Sequence, residues 1–282
     1  MIDIANLSFG YSKKHLLYKN LSLSIQNGNI YGLLGKNGAG KSTLLKNIAG
    51  ILFPIDGCIK VDDMNPQKRH PSFLRTVYYI PEEVYVPSLT IKQYLNLFAV
   101  FYPNFDHNQL NSYLKELEVE VPGKLSALSF GQQKKFIIAF GLACNTKVIL
   151  MDEPTNGLDI PSKSQFRKLI AAVMTDERII FISTHQTRDL ENLIDQVIIV
   201  DNGQLLLYAS MDEVSQRLYF ETVSELPSNN KILYAENDLK GMSIVRENLT
   251  GEDSRINLEY FFNGVTAQPQ LTQEIFQTTN LS

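Results

Sequence analysis

A chain of 282 residues exceeds the usual size of a single domain, so one large domain with a smaller appendage is the starting expectation. Its 44% hydrophobic and 20% charged residues exclude a wholly disordered, collagen-like or low-complexity chain, and a net charge of −4 gives no electrostatic footprint for nucleic acid as a partner. Two cysteines, Cys58 and Cys144, far apart and in no C-x-x-C, exclude a disulfide framework and a thiolate metal cage; a reducing compartment is implied, with both thiols expected in the core.

The opening Met1-Ile-Asp-Ile-Ala-Asn lacks the basic segment and apolar core of a secretory leader, so the chain is expected to stay where it is made. Ile30-Tyr-Gly-Leu-Leu34 is the first clear strand, and Gly35-Lys-Asn-Gly-Ala-Gly-Lys-Ser42 comes directly after it, leading into a helical pattern through Thr43, Leu44, Leu45 and Ile48. Between Pro81 and Pro122 the period changes: Ile91, Tyr94, Leu95, Phe98, Phe101 and Tyr102 recur at helical spacing, Pro103 ends that helix, and a second helix is predicted from about Asn108 to Glu118. Continuous or nearly continuous apolar runs return at Val148–Met151, Arg178–Ser183 and Val197–Val200, as strands covered on both faces read. No purely apolar run, Phe136–Phe140 among the longest, approaches the roughly 18–20 residues of a bilayer span. Strands alternating with helices up to about residue 204 predict crossover units around a mostly parallel sheet.

Charge sets the remainder apart. Residues 205–282 hold five Lys/Arg against eleven Asp/Glu, a net −6 that leaves +2 for the first 204. Ser254-Arg-Ile-Asn-Leu-Glu-Tyr-Phe-Phe262 alternates like a half-solvated strand, Lys231–Ala235 and Met242–Val245 like shorter ones, and Gln270–Phe276 suits a short docking helix before a polar end. A small α/β cap is predicted there.

The glycine-rich segment is G-x-x-x-x-G-K-S in the strand, loop, helix context that this motif requires. Its glycines let successive backbone N–H groups turn inward around a β-phosphate, and the helix N-terminus adds positive potential. Lys41 is then expected at the β and γ phosphates and Ser42 on Mg²⁺. Val148-Ile-Leu-Met-Asp-Glu153 is a buried strand ending in two carboxylates, at the sheet edge where ligands of open α/β sheets gather. Adjacent residues point to opposite sides, so Asp152 can orient the metal shell while Glu153 faces an attacking water. Arg178-Ile-Ile-Phe-Ile-Ser-Thr-His185 puts an imidazole at another strand end, where it can bond a γ-phosphate or hold the water. His15, His70 and His107 have no such context and read as surface residues.

Together these motifs resemble the ATP-binding subunit of an ABC transporter over roughly residues 1–212. Leu128-Ser-Phe-Gly-Gln132 looks like the family's LSGGQ signature, and Pro154-Thr-Asn-Gly-Leu-Asp159 like its D-loop. The resemblance implies a P-loop NTPase core of the ABC ATPase type with an antiparallel β subdomain. A helical insertion at about 84–140 and a small acidic extension at 213–282 complete the expected plan. It implies ATP and Mg²⁺ as ligands, held by Gly35, Lys36, Asn37, Gly38, Ala39, Gly40, Lys41, Ser42 and Thr43, with Tyr11 stacking on adenine. Ser42, Asp152 and Glu82 would serve the metal, Glu153 and His185 the hydrolysis. It also implies a head-to-tail pair, with itself or a similar subunit, in which Ser129, Phe130, Gly131, Gln132 and Asp159 of one chain complete the site of the other.

Two departures stand out. Phe130 adds bulk where the family has glycine, and Glu82, in Tyr79-Ile-Pro-Glu-Glu83, stands where the family has glutamine. That Pro-Glu-Glu form, one ATPase domain and a short extension resemble the ABC-2-like, exporter-type subclass, whose ATPases serve separate membrane subunits. The implied partner is an integral membrane transporter subunit docking on the aromatic insertion, Tyr85 to Phe105, with the protein cytoplasmic and held peripherally at the inner face of the membrane. A soluble ABC ATPase in an assembly or regulatory complex is the alternative.

Overall fold

The computed structural model describes residues 1–277 apart from 13, 14, 122, 228–230, 239 and 240. In chain order the elements are β1 (Ile2–Phe9), β2 (Tyr18–Ile25), β3 (Asn29–Leu34), α1 (Lys41–Ile48), β4 (Asp56–Val61), α2 (Pro71–Leu74) and β5 (Val77–Ile80). Then come α3 (Ile91–Phe98), α4 (His107–Glu116), α5 (Phe130–Ala143), β6 (Val148–Asp152), α6 (Ile160–Val173), β7 (Ile179–Thr184), β8 (Gln196–Asp201) and β9 (Gln204–Ser210). The extension holds α7 (Met211–Arg217), β10 (Leu218–Val223), β11 (Ile232–Asp238), β12 (Gly241–Glu247), α8 (Leu258–Ala267) and α9 (Pro269–Gln277).

Three sheets result among the described residues. The central one has the order β5-β6-β7-β3-β8-β9, with every pairing parallel except β8–β9. Its inner strands are apolar throughout because both faces are covered: β6 and β7 are buried from end to end. Register places Asp152 beside Ser183 and Leu34 beside Thr184. The C-terminal ends of β6, β7 and β3 therefore lie side by side, and the loops leaving them meet at one edge. The expected antiparallel subdomain is the sheet β2-β1-β4.

The predicted insertion folds as two helices with α5 behind them. Thr90 and Gln93 form a reciprocal capping box at the start of α3, a short 3₁₀ turn over Ala99–Phe101 precedes Pro103, and Asp106 caps α4 by accepting from Asn108 and Gln109. Tyr94 is buried, edge-on to Phe136 at 5.2 Å and to Phe140 at 5.1 Å, the geometry aromatic rings prefer. Phe101 and Tyr85, at 63% and 87% exposure, stay outside this cluster.

In the extension, β11 and β12 match the predicted short strands and pair with β10 in the order β10-β12-β11. Gln270–Phe276 is helical within α9; the polar end, 278–282, lies outside the described residues. Ser254–Phe262 departs from expectation: Leu258 begins a helix, α8, not a strand. Asn257 stops the extended chain by accepting from the amides of Glu259 and Tyr260, and burial then tracks Leu258, Phe261 and Val265, a helical period hidden beneath the two-residue alternation. Cys144 is buried as expected, but Cys58 is exposed, because it falls on the outward side of β4 between exposed Gly57 and buried Ile59.

Candidate active site

The sheet edge carries a cleft of about 1000 Å³ lined by Tyr11, Asn37, Gly38, Gly40, Lys41, Ser42, Thr43, Glu82, Glu153, Asn156 and His185, and also by Ser12, His15, Leu16 and Leu17. Residues predicted from five separated segments thus converge. His15, expected only as a surface residue, joins the wall.

The phosphate loop joins β3 to α1. Gly40 takes φ +110°, and a side chain there would press on the Tyr18 hydroxyl beneath the loop; only glycine fits both the backbone and the space. No capping side chain satisfies the first amides of α1, so they remain available to an anion. Lys41 is 6% exposed, its Nζ donating to the carbonyls of Gly35 at 2.7 Å and Lys36 at 3.3 Å. Burial pushes its pKa below the ordinary lysine value, against the opposing pull of the Glu153, Asp152 and Glu82 carboxylates. A buried ammonium held this way is poised for negative charge. Tyr11 is largely exposed, its hydroxyl 2.9 Å from Thr43 Oγ1 and its ring edge-on to Phe9.

At the end of β6 the two acids part, as adjacent strand residues should. Asp152 accepts from Ser183 Oγ at 2.6 Å on one oxygen and from the Tyr79 hydroxyl at 3.2 Å on the other. Burial first, and then that carboxylate, push the Tyr79 phenol well up, so it remains a donor. Glu153 leaves the strand with φ +45°, the left-handed region that non-glycine residues seldom adopt and that clusters at functional sites. Its Oε1 accepts from the amide of His185 at 2.9 Å and lies 2.8 Å from His185 Nδ1 and 3.7 Å from Lys41 Nζ; its Oε2 accepts from Thr184 Oγ1 at 3.0 Å. Glu82 is exposed at the rim, accepting from Asn156 Nδ2 at 2.9 Å, and Asn156 Oδ1 accepts from Gln186.

Ser129, Phe130, Gly131 and Gln132 line none of this cleft. Ser129 caps α5 through Gln132 N, and the Phe130 ring packs on Gly157, where a Cβ would meet it at 3.0 Å. The bulk expected to obstruct a close approach is therefore half absorbed within the chain. Asp159 likewise lies outside the cleft and caps α6; its hydrogen bond with Ser162 holds the carboxyl below its ordinary pKa.

Sequence reasoning missed Tyr79, Ser183, Thr184, Asn156 and Lys134. The hydroxyls of Ser183 and Thr184 directly before His185 were the one available signal; the others acquire their partners only through the topology.

Among the described residues no cluster of three or more His, Cys, Asp or Glu could hold a metal alone. The uncapped amides of α1 suit a phosphate, and one hydroxyl with one oriented carboxylate suits a cation that keeps phosphate and water ligands, as Mg²⁺ does.

Residues 18–156 match the sequence profile of the family described as ABC transporter. The "ABC transporter ATP-binding protein YtrB" of Bacillus subtilis (strain 168) is 29% identical over 218 residues, 77% of this chain and 74% of that one. The "Bacitracin transport ATP-binding protein BcrA" of Bacillus licheniformis is 27% identical over 259 residues, 87% of this chain and 85% of that one. A solved structure described as the ATP binding subunit of an ABC transporter superposes with a TM-score of 0.69 at 24% identity, covering 76% of this chain and 91% of that one, and shows the same fold.

Proposed function

The chain belongs to the ABC transporter ATP-binding proteins and is an ATPase of that type, and from that premise we propose that it powers an exporter as one half of a head-to-tail pair that closes on ATP. The observation that carries this reading is the half-built site. One chain gathers a buried lysine, a phosphate loop, a carboxylate and an imidazole, while its Ser129–Gln132 segment stands at a helix start outside its own cleft. A single phosphate loop leaves a γ-phosphate open on one side, and a second chain's helix N-terminus supplies the missing amides. Asp159 and the exposed Ile160 beside it belong to the same meeting face.

Within one site, Gly35 to Thr43 cradle the phosphates and Tyr11 swings from Thr43 to cover the base. Ser42 and Asp152, with Glu82 at the rim, would hold Mg²⁺, which would supply charge neutralisation for the phosphates. Asp152 needs no search for its orientation, since Ser183 and Tyr79 hold both oxygens. Phosphate gives Lys41 a stronger partner than the carboxylate 3.7 Å away, leaving the Glu153 carboxylate, oriented by His185 and Thr184, to take the proton of the attacking water. His185 Nδ1 lies 2.8 Å from Glu153 Oε1, and the ring's other nitrogen, Nε2, is left to hold that water.

No helix among the described residues is long and apolar enough to cross a membrane. In the proposed reading, attachment runs through separate membrane subunits at the inner face. The exposed aromatics of the insertion, Tyr85, Phe98 and Phe101, form the docking surface.

Affinity capture of the tagged protein from gently solubilised native membranes tests the assignment. A multi-span membrane protein is expected, lost when Phe98 and Phe101 are made polar; recovery of soluble partners alone moves the function to an assembly or regulatory complex. Ser129→Arg is expected to abolish ATP-driven dimerisation, seen by size-exclusion chromatography with light scattering, while leaving the monomer folded. A dimer that still forms contradicts the shared site.

A further inference from the structure

Lys134 lies one turn into α5, beyond the Ser129 cap, and is completely buried. Its Nζ donates to three main-chain carbonyls: Glu82 at 3.2 Å, Glu153 at 2.6 Å and Asn156 at 3.1 Å. An ammonium has three donors, and here each finds an acceptor, two segments of chain being served at once. The Phe130 ring stands 5.9 Å from the same nitrogen and packs on Gly157. Burying a cation is costly where methionine would fill the same volume, and burial does push this lysine's pKa down, opposed by the carboxylates of Glu82, Glu153 and Asp152. What the charge achieves is visible in what it grips. Glu153 sits in the left-handed backbone region where β6 ends, so its peptide carbonyl has left the sheet ladder and accepts from Lys134 Nζ at 2.6 Å and from the amide of Asn156 at 3.2 Å. Glu82 begins the segment leading into the helical insertion.

We propose that Lys134 is a positioning residue for ATP hydrolysis, setting the main-chain course at both Glu82 and Glu153 so that the seat of α5 determines where the two carboxylates stand. Lys134 lines no part of the cleft, so it touches neither nucleotide nor water. Turnover and binding should consequently separate. The inference rests on the reading of Glu153 as the base.

The test compares Lys134→Met, Lys134→Gln and Lys134→Arg in the full chain, with kcat counted per nucleotide-binding site and Kd measured with a fluorescent ATP analogue. K134M is expected to keep Kd and KM within about threefold while kcat falls about 10- to 100-fold, the scale of a slightly misplaced catalytic group. K134R, retaining charge and donors, should recover part of that loss. Should K134M not fold, K134Q, polar but too short to reach all three carbonyls, must show the same split. Wild-type kcat in folded K134M or K134Q overturns the proposal. So does a parallel fall of affinity and kcat without recovery in K134R, or loss of folding in both K134M and K134Q; either makes the residue purely structural. Wild-type hydrolysis by E153Q would instead remove Glu153 as the base, whereas an inactive E153Q beside a fully active K134M sinks only the role of Lys134.

Discussion

Glu153→Gln is expected to bind ATP with near wild-type affinity and to hydrolyse it roughly 10²- to 10⁴-fold more slowly, the range for losing a general base. The substitution suits the site. Two donors from His185, its amide and Nδ1, converge on Oε1, while Oε2 faces the hydroxyl of Thr184, which can turn to accept. A glutamine can therefore place its carbonyl toward His185 and its NH₂ toward Thr184, keeping the left-handed backbone and the packing while removing only the proton acceptor and the charge. Steady-state phosphate release alongside a direct binding titration separates the two effects. Hydrolysis within a few-fold of wild type would remove Glu153 from the chemistry and leave the carboxylate as an organiser of His185.

Lys41→Ala acts on the opposite quantity. Charge-assisted hydrogen bonds are worth about 1.5–3 kcal/mol, so ATP affinity is expected to fall about 10- to 100-fold. The loss is compounded because Lys41 Nζ is already held in place by the carbonyls of Gly35 and Lys36 and has little rotamer freedom left to lose on binding. Those carbonyls would be left without that donor, and the buried Glu153 without its neighbouring cation, so the nucleotide-free protein should also melt earlier. Calorimetric titration with ATP, paired with thermal unfolding in its absence, reads both. An unchanged affinity would mean that Lys41 does not reach the phosphates.

Where chemistry dictates residue type at close spacing, the site was legible. Gly35 to Ser42, Asp152 with Glu153, and His185 each come after a run of apolar residues long enough to be a buried strand, and those strands turned out to be neighbours. Spacing does not reveal partners supplied by topology. Tyr79 reaches Asp152 from the adjacent strand, and Lys134 meets Glu82 from 52 positions away; in the sequence Lys134 is one of two consecutive lysines, indistinguishable from a solvated pair. The extension misled for a different reason. Ile256, Leu258, Tyr260 and Phe262 satisfy a period of two while Leu258, Phe261 and Val265 satisfy a helical one, and Asn257, through its cap, decided between them. On β4, Cys58 shows that a small apolar residue obeys its strand's alternation, not its average preference.

The position of β3 has a consequence for how the protein is made. This strand, which carries the phosphate loop, is the central partner of β7 and β8, and Asn29 pairs with Ile179, a separation of 150 residues. During synthesis the strand has emerged long before either neighbour exists. At about 5–20 residues per second, some eight to thirty seconds pass with Ile30, Tyr31, Leu33 and Leu34, all buried in the finished fold, lacking both of their lateral neighbours. The antiparallel β2-β1-β4 sheet, complete by Val61, can form in that interval, but the nucleotide cleft cannot. It is closed by the late arrival of β7 with His185, which makes ATP binding one of the last properties the nascent chain acquires and makes the interval before it the period of greatest exposure to aggregation.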